Sequence, residues 1–574
     1  MQALPQFDYI FALGLIFAFL DAYGIGANDV ANSFATSVSS RSLTLMQACF
    51  LAAICEFLGA LLLGARVTNT IKDGIINIDM FTESPSVLML AMWCALVGSS
   101  SWVLLATRLG LPVSTTHSII GAIVGVGIAA NGGKGVKWGY DGVARIVSSW
   151  VIAPFIAGAF ALTIFMLTKY FVLKRQDPLR AGFIAIPIYF GFTSGILTMM
   201  IVWKGAPGLD LDELGAGTII GAVLGVAGVV AAICIFFFVP YLHRRLVRED
   251  PTVRWYHFFL GPYLWKAERL PFPGAANAVA IKDYFNGGLA SGDMELGKTQ
   301  PTPSADEITS STSNDDVNAA AAAPAAGATT LEDLEKHEIR GPWILPSNIW
   351  IFLRYRLPKL ALRGMQVDVV NEQARAQHAG DKGAIRVAEM HARAAQYDNK
   401  TEHLYSFLQV LTACTASFAH GANDVSNAVG PLVVIYQVWK SGVVPGSKSD
   451  VPVWILAFGG AAIVIGLSTY GYNIMRNLGN RLTPHSPTRG FSMELGAALT
   501  VVLATRLNIP VSTTHSITGA TVAVGMANGD LKVINWKLLI WIFGGWIITL
   551  PIAGTVAGCL MAIIVHAPRF GMGV

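Results

Sequence analysis

The sequence has few charged residues, because Asp, Glu, Lys and Arg together make up 13% of its 574 residues. Soluble globular domains carry about twice that share, ~25%. Hydrophobic residues reach 53% and the mean hydropathy is +0.53, so polar groups are too few to cover a water-facing surface. The net charge of +4 is too small to indicate a polyanionic partner. These shortages exclude a disordered chain and a nucleic-acid binder, and they predict an integral membrane protein.

Cysteine chemistry is also poorly represented. The six cysteines form no CxxC pair and have no companion histidine cluster, so we expect buried free thiols and no metal or disulfide framework. The N-terminal segment MQALPQFD has no basic residue, so we expect the first apolar stretch to be retained as a membrane span. Because no nucleophile–base set appears, we expect no enzymatic role and no cofactor.

Twelve apolar stretches approach the ~20 residues that a membrane helix needs. Seven precede a long polar interval and five follow it, which predicts an all-α polytopic membrane protein. The first and the eighth stretches are long enough to be broken helices. The predicted spans are 6–40, 46–64, 87–107, 111–130, 147–172, 181–203, 216–242, 403–437, 452–474, 490–507, 509–528 and 538–565.

Lys and Arg residues near the span ends are enriched on one side, which the positive-inside rule assigns to the cytoplasm. We therefore expect both termini outside and the central loop inside. The chain divides into an N-terminal membrane half, 1–242, a cytoplasmic loop, 243–402, and a C-terminal membrane half, 403–574. Within the loop, 300–330 is predicted to be disordered and 343–363 to be a basic amphipathic stretch on the inner leaflet.

Two motifs occur twice, in the same order. GANDVAN at 26–32 recurs as GANDVSN at 421–427, and ATRLGLPVSTTHSIIGA at 106–122 recurs as ATRLNIPVSTTHSITGA at 504–520. Seven spans separate the two copies, and because seven is odd the copies cross the membrane in opposite directions. The sequence thus predicts an inverted repeat, with substrate at the repeat interface near the bilayer midplane. A channel filter signature such as TVGYG is not present.

The GANDV motif places a carboxylate at membrane depth in both halves. We expect its glycine to break the helix, so that Asn28 with Asp29 and Asn423 with Asp424 begin a second helix segment. An intramembrane carboxylate costs at least ~2.5 kcal/mol. Two of them at matching positions favour a cation site over simple helix capping.

Each PVSTTHS segment is expected to begin a helix with a run of hydroxyl residues. Hydroxyls and free backbone N–H groups at a helix N-terminus form a cradle for an anion, and ordinary Ser and Thr packing is the alternative. The cradle residues are Ser114, Thr115, Thr116, Ser512, Thr513 and Thr514. The neighbouring histidines and two acids without a counterpart in the other repeat are candidates for proton or coupling roles. These residues are His117, His515, Glu56 and Glu494. For Glu494, a charge at the membrane interface is the alternative.

An anion and several carboxylates in one low-dielectric pocket would repel each other. Small cations or protons bound between them remove the conflict, which predicts symport. Phosphate carries a proton that a carboxylate can accept, whereas sulfate has none, so phosphate is the favoured anion.

At GANDVANSFATSVSSRSLT, 26–44, at HGANDVSNAVGPL, 420–432, and at both PVSTTHS segments, the sequence resembles the inorganic phosphate transporter family, most closely its sodium-coupled fungal high-affinity type. The resemblance implies a plasma-membrane carrier that moves phosphate with Na⁺ by an elevator-like movement. It implies phosphate contacts for the hydroxyl cradle, Asn28 and Asn423. It implies Na⁺ contacts for Asp29, Asn32, Asp424 and Asn427, and important roles for Glu56 and Glu494.

Two alternatives remain beside Na⁺/phosphate symport. One is H⁺-coupled phosphate uptake, with His117, His515 and Glu56 as proton acceptors. The other is a phosphate-sensing membrane receptor that signals through the central loop. The expected partners are phosphate, Na⁺ or H⁺ and the lipid bilayer, without nucleic acid, and a homodimer is left open.

Overall fold

The computed structural model describes residues 4–140, 142–204, 214–268, 270, 281–285, 342–343, 345–356, 365, 367, 376–377, 381–446, 450–507, 509 and 511–567. The predicted disordered segment, 300–330, lies outside the described residues. The chain forms two compact units, one comprising Met1–Gly287 with Gly364–Val574 and the other Gly288–Arg363. The predicted boundaries of the central loop, at 242 and 402, differ from the boundaries between the two units, and the predicted three-part division of the chain stays a prediction.

Long helices dominate the first unit, and the described residues contain no β-strand. Each of the twelve predicted spans coincides with one helix. These are α1 (Pro5–Ser39), α2 (Leu45–Asp73), α3 (Pro85–Arg108), α4 (Thr115–Asn131), α5 (Val143–Leu173), α6 (Pro178–Lys204), α7 (Ala216–Leu246), α8 (Asn399–Ser441), α9 (Val453–Tyr470), α10 (Pro487–Arg506), α11 (Thr513–Met526) and α12 (Trp536–His566). Within the described residues, nine are long and apolar enough to cross a membrane. The exceptions are α11, which has 14 residues, and the more polar α8 and α10.

Helices α1 and α8 carry the two GANDV motifs and pack antiparallel. At one end the Leu4 N–H donates to the Trp439 carbonyl, 3.3 Å away. Farther along, carboxylate oxygens of Asp29 and Asp424 lie within 4.8 Å of each other. The residue number of the contact rises from 4 to 29 along α1 while it falls from 439 to 424 along α8, so the two copies run in opposite directions. The predicted inverted repeat is therefore confirmed.

The two repeats, α1–α5 and α8–α12, exchange packing partners. Helix α2 of the first repeat packs against α8, and its counterpart α9 packs against α1. In the same way α3 and α4 pack against α12, while α10 and α11 pack against α5. Each half therefore completes the core of the other, and α6 with α7 connects them.

The helix pairs α3–α4 and α10–α11 are helical hairpins. The Asn77 N–H donates to the Gly135 carbonyl at 3.0 Å, which ties the exit of α4 to the segment that precedes α3. Arg489, at the start of α10, donates to Asn528 Oδ1 at 2.8 Å, just beyond the end of α11. Both ends of each hairpin thus lie on one side, and the PVSTTHS segments form the tips.

The base of the second hairpin is fixed to the start of α8. Glu402 is fully buried and accepts hydrogen bonds from the backbone N–H and the hydroxyl of Thr488, both at 2.8 Å. A carboxylate at this place satisfies free N–H groups at the N-terminus of α10. The buried guanidinium of Arg489 also donates to the Ala395 carbonyl, at 2.6 Å.

The GANDV glycines do not break their helices as predicted. In α1 the motif forms one π-helical turn, Gly26–Val30, and α8 continues as an unbroken α-helix. A Cβ on Gly26 would overlap the Ile463 carbonyl of α9, and a Cβ on Gly421 would overlap the Glu56 carbonyl of α2. The glycines therefore permit close helix packing, a use common in membrane bundles. The expectation that the following Asn and Asp residues begin a second segment is wrong for this reason.

The outward faces of α7 and α12 are rich in exposed apolar side chains, such as Leu224 and Ile540. Of the six free cysteines, Cys559 on α12 is exposed, so the expectation that every thiol is buried is wrong there. In the second unit, a helix, Pro346–Ile351, continues as a π-helical turn, Phe352–Arg356, with exposed Trp350 and Leu353. The membrane-surface role of 343–363 stays a prediction.

Candidate ion-binding site

The first motif aspartate lies between the tips of the two hairpins. Asp29 is 2% exposed. Its Oδ2 accepts a hydrogen bond from the Thr115 hydroxyl at 2.5 Å, and its Oδ1 accepts one from the Thr514 hydroxyl. Because Thr115 belongs to the first repeat and Thr514 to the second, this carboxylate holds both tips together.

The second motif aspartate has the reciprocal arrangement. Asp424 is fully buried, and its Oδ2 accepts from the Thr513 hydroxyl of its own repeat at 2.8 Å. Its Oδ1 accepts from the Thr116 hydroxyl of the first repeat at 3.2 Å. The Asn427 amide donates to Asp424 Oδ1 at 3.3 Å and to Thr116 Oγ1 at 3.1 Å. The predicted hydroxyls and carboxylates therefore come together in one place.

The motif asparagines fix the hairpin tips. Asn28 Nδ2 donates to the Leu111 carbonyl at 3.1 Å, and Asn28 Oδ1 accepts from the Val113 N–H at 3.0 Å. At the equivalent place in the second repeat, Asn423 Nδ2 donates to the Val511 carbonyl at 3.0 Å. These amides thus position the tips, and the phosphate contacts implied for them stay a prediction.

The PVSTTHS segments begin helices as predicted. Ser114 and Ser512 are the N-cap residues of α4 and α11, and each hydroxyl accepts a hydrogen bond of 3.3 Å from the N–H of the following histidine. Serine is a preferred N-cap because its hydroxyl satisfies a free N–H group of the first turn. The two serine hydroxyls are therefore engaged with their own helices, in contrast to the threonines.

The two motif histidines pack together with tryptophans. The rings of His117 and His515 lie 4.5 Å apart between centroids. His117 is also 4.1 Å from the Trp150 ring, and His515 is 3.8 Å from the Trp546 ring. These contacts give the histidines an aromatic environment beside the tips. Their proposed proton role is not supported by a carboxylate contact among the described residues.

A third histidine, which the sequence reasoning missed, connects the carboxylates. His420 Nδ1 lies 2.8 Å from Glu56 Oε2, and His420 Nε2 lies 2.9 Å from Asp424 Oδ2. The Ser417 hydroxyl donates to Glu56 Oε1 at 2.7 Å. All four side chains are buried, and the coupling role expected of Glu56 stays a prediction. The sequence signal was the i, i+4 spacing of His420 and Asp424 on one helix.

Three of these groups are close enough to share a cation. One ligand atom each from Asp29, His420 and Asp424 lies within 4.8 Å of the others, and no other such cluster occurs in the described part of the chain. Carboxylate oxygens are hard ligands that suit small hard cations. Since two buried carboxylates repel each other, a positive charge between them stabilises the arrangement.

Glu494, the other predicted acid, has hydrogen-bond partners different from those of Asp29, Asp424 and Glu56. Glu494 is fully buried, so its alternative assignment as an interfacial charge is wrong. Its Oε1 accepts from the hydroxyls of Thr36 and Ser37, at 2.6 and 2.7 Å, and from Gln409 Nε2 at 3.1 Å. Its Oε2 accepts from the Thr412 hydroxyl at 2.6 Å. Glu494 therefore joins α1, α8 and α10 through neutral donors. Among the predicted site residues, only the side chain of Asn32 lies outside the described part.

The sequence model of the phosphate transporter family matches residues 25–557, which include both hairpin tips and both aspartates. The chain belongs to the phosphate transporter family. It is 46% identical to the phosphate-repressible phosphate permease pho-4 of Neurospora crassa, over 99% of this chain and 100% of that protein. It is 32% identical to sodium-dependent phosphate transporter 1 of Mus musculus, over 98% of this chain and 96% of that protein.

The fold agrees with a solved relative. A structure described as the sodium-dependent phosphate transporter matches with a TM-score of 0.63 and 25% identity, over 97% of this chain and 99% of that one. The resemblance to the phosphate transporter family is confirmed, and the protein is a phosphate transporter with sodium-dependent relatives. The family is one of transporters, which agrees with the expected non-enzymatic role.

Proposed function

We propose that this phosphate transporter imports inorganic phosphate across the plasma membrane by symport with Na⁺. The observation that carries the proposal is the reciprocal set of hydrogen bonds at the hairpin tips. Asp29 and Asp424 each accept one threonine hydroxyl from each repeat. The sodium-dependent relatives support Na⁺ as the coupling ion.

The threonine hydroxyls give a physical reason for coupling. A hydroxyl has one O–H to donate and two lone pairs to accept or coordinate. The hydroxyls of Thr115, Thr116, Thr513 and Thr514 donate to carboxylates in this structure. Na⁺ bound between a carboxylate and a hydroxyl oxygen would take the lone pairs and release the O–H toward phosphate. Phosphate would then find donors only where Na⁺ is already bound.

Charge balance gives the same order of binding. Without a cation, a phosphate anion near Asp29 and Asp424 would face two carboxylates in a low-dielectric site. Na⁺ at these residues, with Asn32 and Asn427 as further predicted ligands, removes that repulsion. Only one of the two repeats has a histidine four residues before its aspartate. His420 lies beside Asp424, whereas Ile25 stands at the equivalent position of the first repeat.

The sidedness and the movement belong to the same proposal. We expect both termini outside, the loop 243–402 in the cytoplasm and alternating access through an elevator-like movement, as the positive-inside pattern and the family resemblance suggest. The meeting of one hairpin from each repeat at a single site supports alternating access, because displacing either hairpin would open the site to one side.

Uptake of radiolabelled phosphate into proteoliposomes tests the proposal. We expect an inward Na⁺ gradient to drive accumulation, and replacement of Na⁺ by choline at constant pH to abolish it. Accumulation that continues in choline and follows an imposed pH gradient would refute Na⁺ coupling. Phosphate binding without any movement of label under either gradient would point to a receptor.

H⁺-coupled uptake is the second candidate, and one contact favours it. His420 lies between Glu56 and Asp424, with each ring nitrogen less than 3 Å from a carboxylate oxygen. Such a bridge can hold a proton at one of several atoms. The pH-gradient arm of the same experiment separates this candidate from Na⁺ symport.

A further inference from the structure

A buried carboxylate in α1 lies outside the site described above. Asp21 is 1% exposed, and neither of its carboxylate oxygens has a hydrogen-bond partner among the described residues. It precedes Asp29 by eight positions, roughly 12 Å along a helix at 1.5 Å per residue. It lies toward the N-terminal end of α1, on the expected outer side of the transport site.

The neighbour of Asp21 is a serine on α3. Helices α1 and α3 run side by side in the same direction, since Phe17 contacts Trp93 and Asn28 donates to Thr107. Asp21 lies between these contacts and interacts with the Ser99 side chain. Ser99 Oγ is fully buried and, within the described part of the chain, also makes no hydrogen bond.

This combination is unfavourable unless something binds there. The carboxylate and the hydroxyl interact with each other, but none of their oxygens forms a well-shaped hydrogen bond, so the hydration that each loses on burial is not fully replaced. The fold of the repeat does not require an acid at this position, because Ala416 is the equivalent residue of α8. An intramembrane ionisable residue of this kind indicates a functional site.

We propose that Asp21 and Ser99 bind a Na⁺ ion at a site separate from Asp29 and Asp424. Carboxylate and hydroxyl oxygens are hard ligands suited to a small hard cation. One positive charge neutralises the single carboxylate, which selects a monovalent ion. The inference rests on the proposed Na⁺ coupling, and it places an ion on the expected outer side of Asp29 and Asp424.

Equilibrium binding of ²²Na⁺ to the purified full-length protein, without phosphate, tests the site. We expect Asp21→Asn to bind one Na⁺ fewer per chain than the wild type. We expect Ser99→Ala to weaken Na⁺ binding at one site about tenfold, the factor for one lost ligand contact. Ser100→Ala is the matched control, because the Ser100 hydroxyl is buried and donates to the Val97 carbonyl of its own helix.

The outcomes separate this inference from the proposed function. A wild-type protein without Na⁺ binding or Na⁺-driven uptake would contradict both. A wild type that binds Na⁺, together with an Asp21→Asn variant of unchanged Na⁺ number and affinity, would overturn the Asp21 site alone. The same holds if Asp21→Asn changes only the pH dependence of uptake, because the residue would then carry a proton. If Asp21→Asn fails to fold, equal Na⁺ binding by Ser99→Ala and Ser100→Ala overturns the site.

Discussion

The bridge made by His420 gives the sharpest test of the site. The His420→Ile substitution gives the second repeat the same residue that the first repeat has at the equivalent position, Ile25. The substitution removes the group that lies 2.8 Å from Glu56 and 2.9 Å from Asp424. Two buried carboxylates then face each other without the ring between them.

The size of the effect follows from this geometry. Two unit charges roughly 7 Å apart repel each other by about 2 kcal/mol at an effective dielectric constant of about 20. Loss of one partner from a buried ionic contact costs about 3–5 kcal/mol in measured cases. We therefore expect the His420→Ile variant to lose about 2–5 kcal/mol of stability in choline. Added Na⁺ should restore part of that loss, because it supplies the missing positive charge.

Thermal unfolding in detergent, in matched Na⁺ and choline buffers, measures both quantities. We expect a lower Tm for His420→Ile than for the wild type in choline, and a larger rise on adding Na⁺. His566→Gln is the control, since His566 is exposed and its ring is hydrogen-bonded to the Ala129 carbonyl, 3.1 Å away, far from the two acids in the sequence. An unchanged Tm for His420→Ile, with an unchanged response to Na⁺, would show that His420 does not hold the two acids together.

Three further predictions concern uptake in reconstituted vesicles or cells. Asp29→Asn and Asp424→Asn should each reduce Na⁺-dependent uptake at least about 100-fold, or ~3 kcal/mol, with normal membrane insertion, and near-normal uptake in either variant would remove that residue from the ion site. Thr115→Val and Thr513→Val should each raise the phosphate KM about tenfold, because each loses a charge-assisted hydroxyl contact, and an unchanged KM in both would refute the threonine role. Deletion of 300–330 should keep uptake within about twofold of the wild type, and complete loss in a correctly inserted protein would show that the segment acts in transport.

The helices and their opposed repeats could be predicted because their signals are local. Apolar stretches near membrane length mark the helices, and the repeated motifs with an odd number of intervening spans give the inversion. Ser114 and Ser512 also cap their helices as expected, since capping involves a residue and the N–H groups just after it.

The contacts between the repeats could not be predicted, because no local pattern encodes them. Nothing in the spacing of Thr116 indicates that its hydroxyl reaches Asp424, 308 positions away. The helix break expected at the GANDV glycines was wrong for a related reason. A break and a close approach both require glycine, and only the position of the neighbouring helix distinguishes them.

His420 shows a third limit. Its place immediately before the second GANDV motif was visible, but a lone histidine in an apolar helix is more often a core residue than a ligand. The residue that decides its role is Glu56, which lies on α2 and has no acidic counterpart in the second repeat. An asymmetric pair of this kind leaves no trace in the repeat pattern, so comparison of the two halves cannot find it.

The reciprocal hydrogen bonds also bear on how access could alternate. Displacing the first hairpin would remove the hydroxyls of Thr115 and Thr116, and so one threonine hydrogen bond from Asp29 and one from Asp424. Displacing the second hairpin would remove the other two threonines and again one bond from each aspartate. At the two aspartates, the openings therefore cost the same number of threonine hydrogen bonds, one from each carboxylate. The two openings still differ in their asparagine contacts, because Asn28 bonds to Leu111 and Val113 and Asn427 bonds to Thr116 in the first hairpin, whereas Asn423 bonds to Val511 in the second.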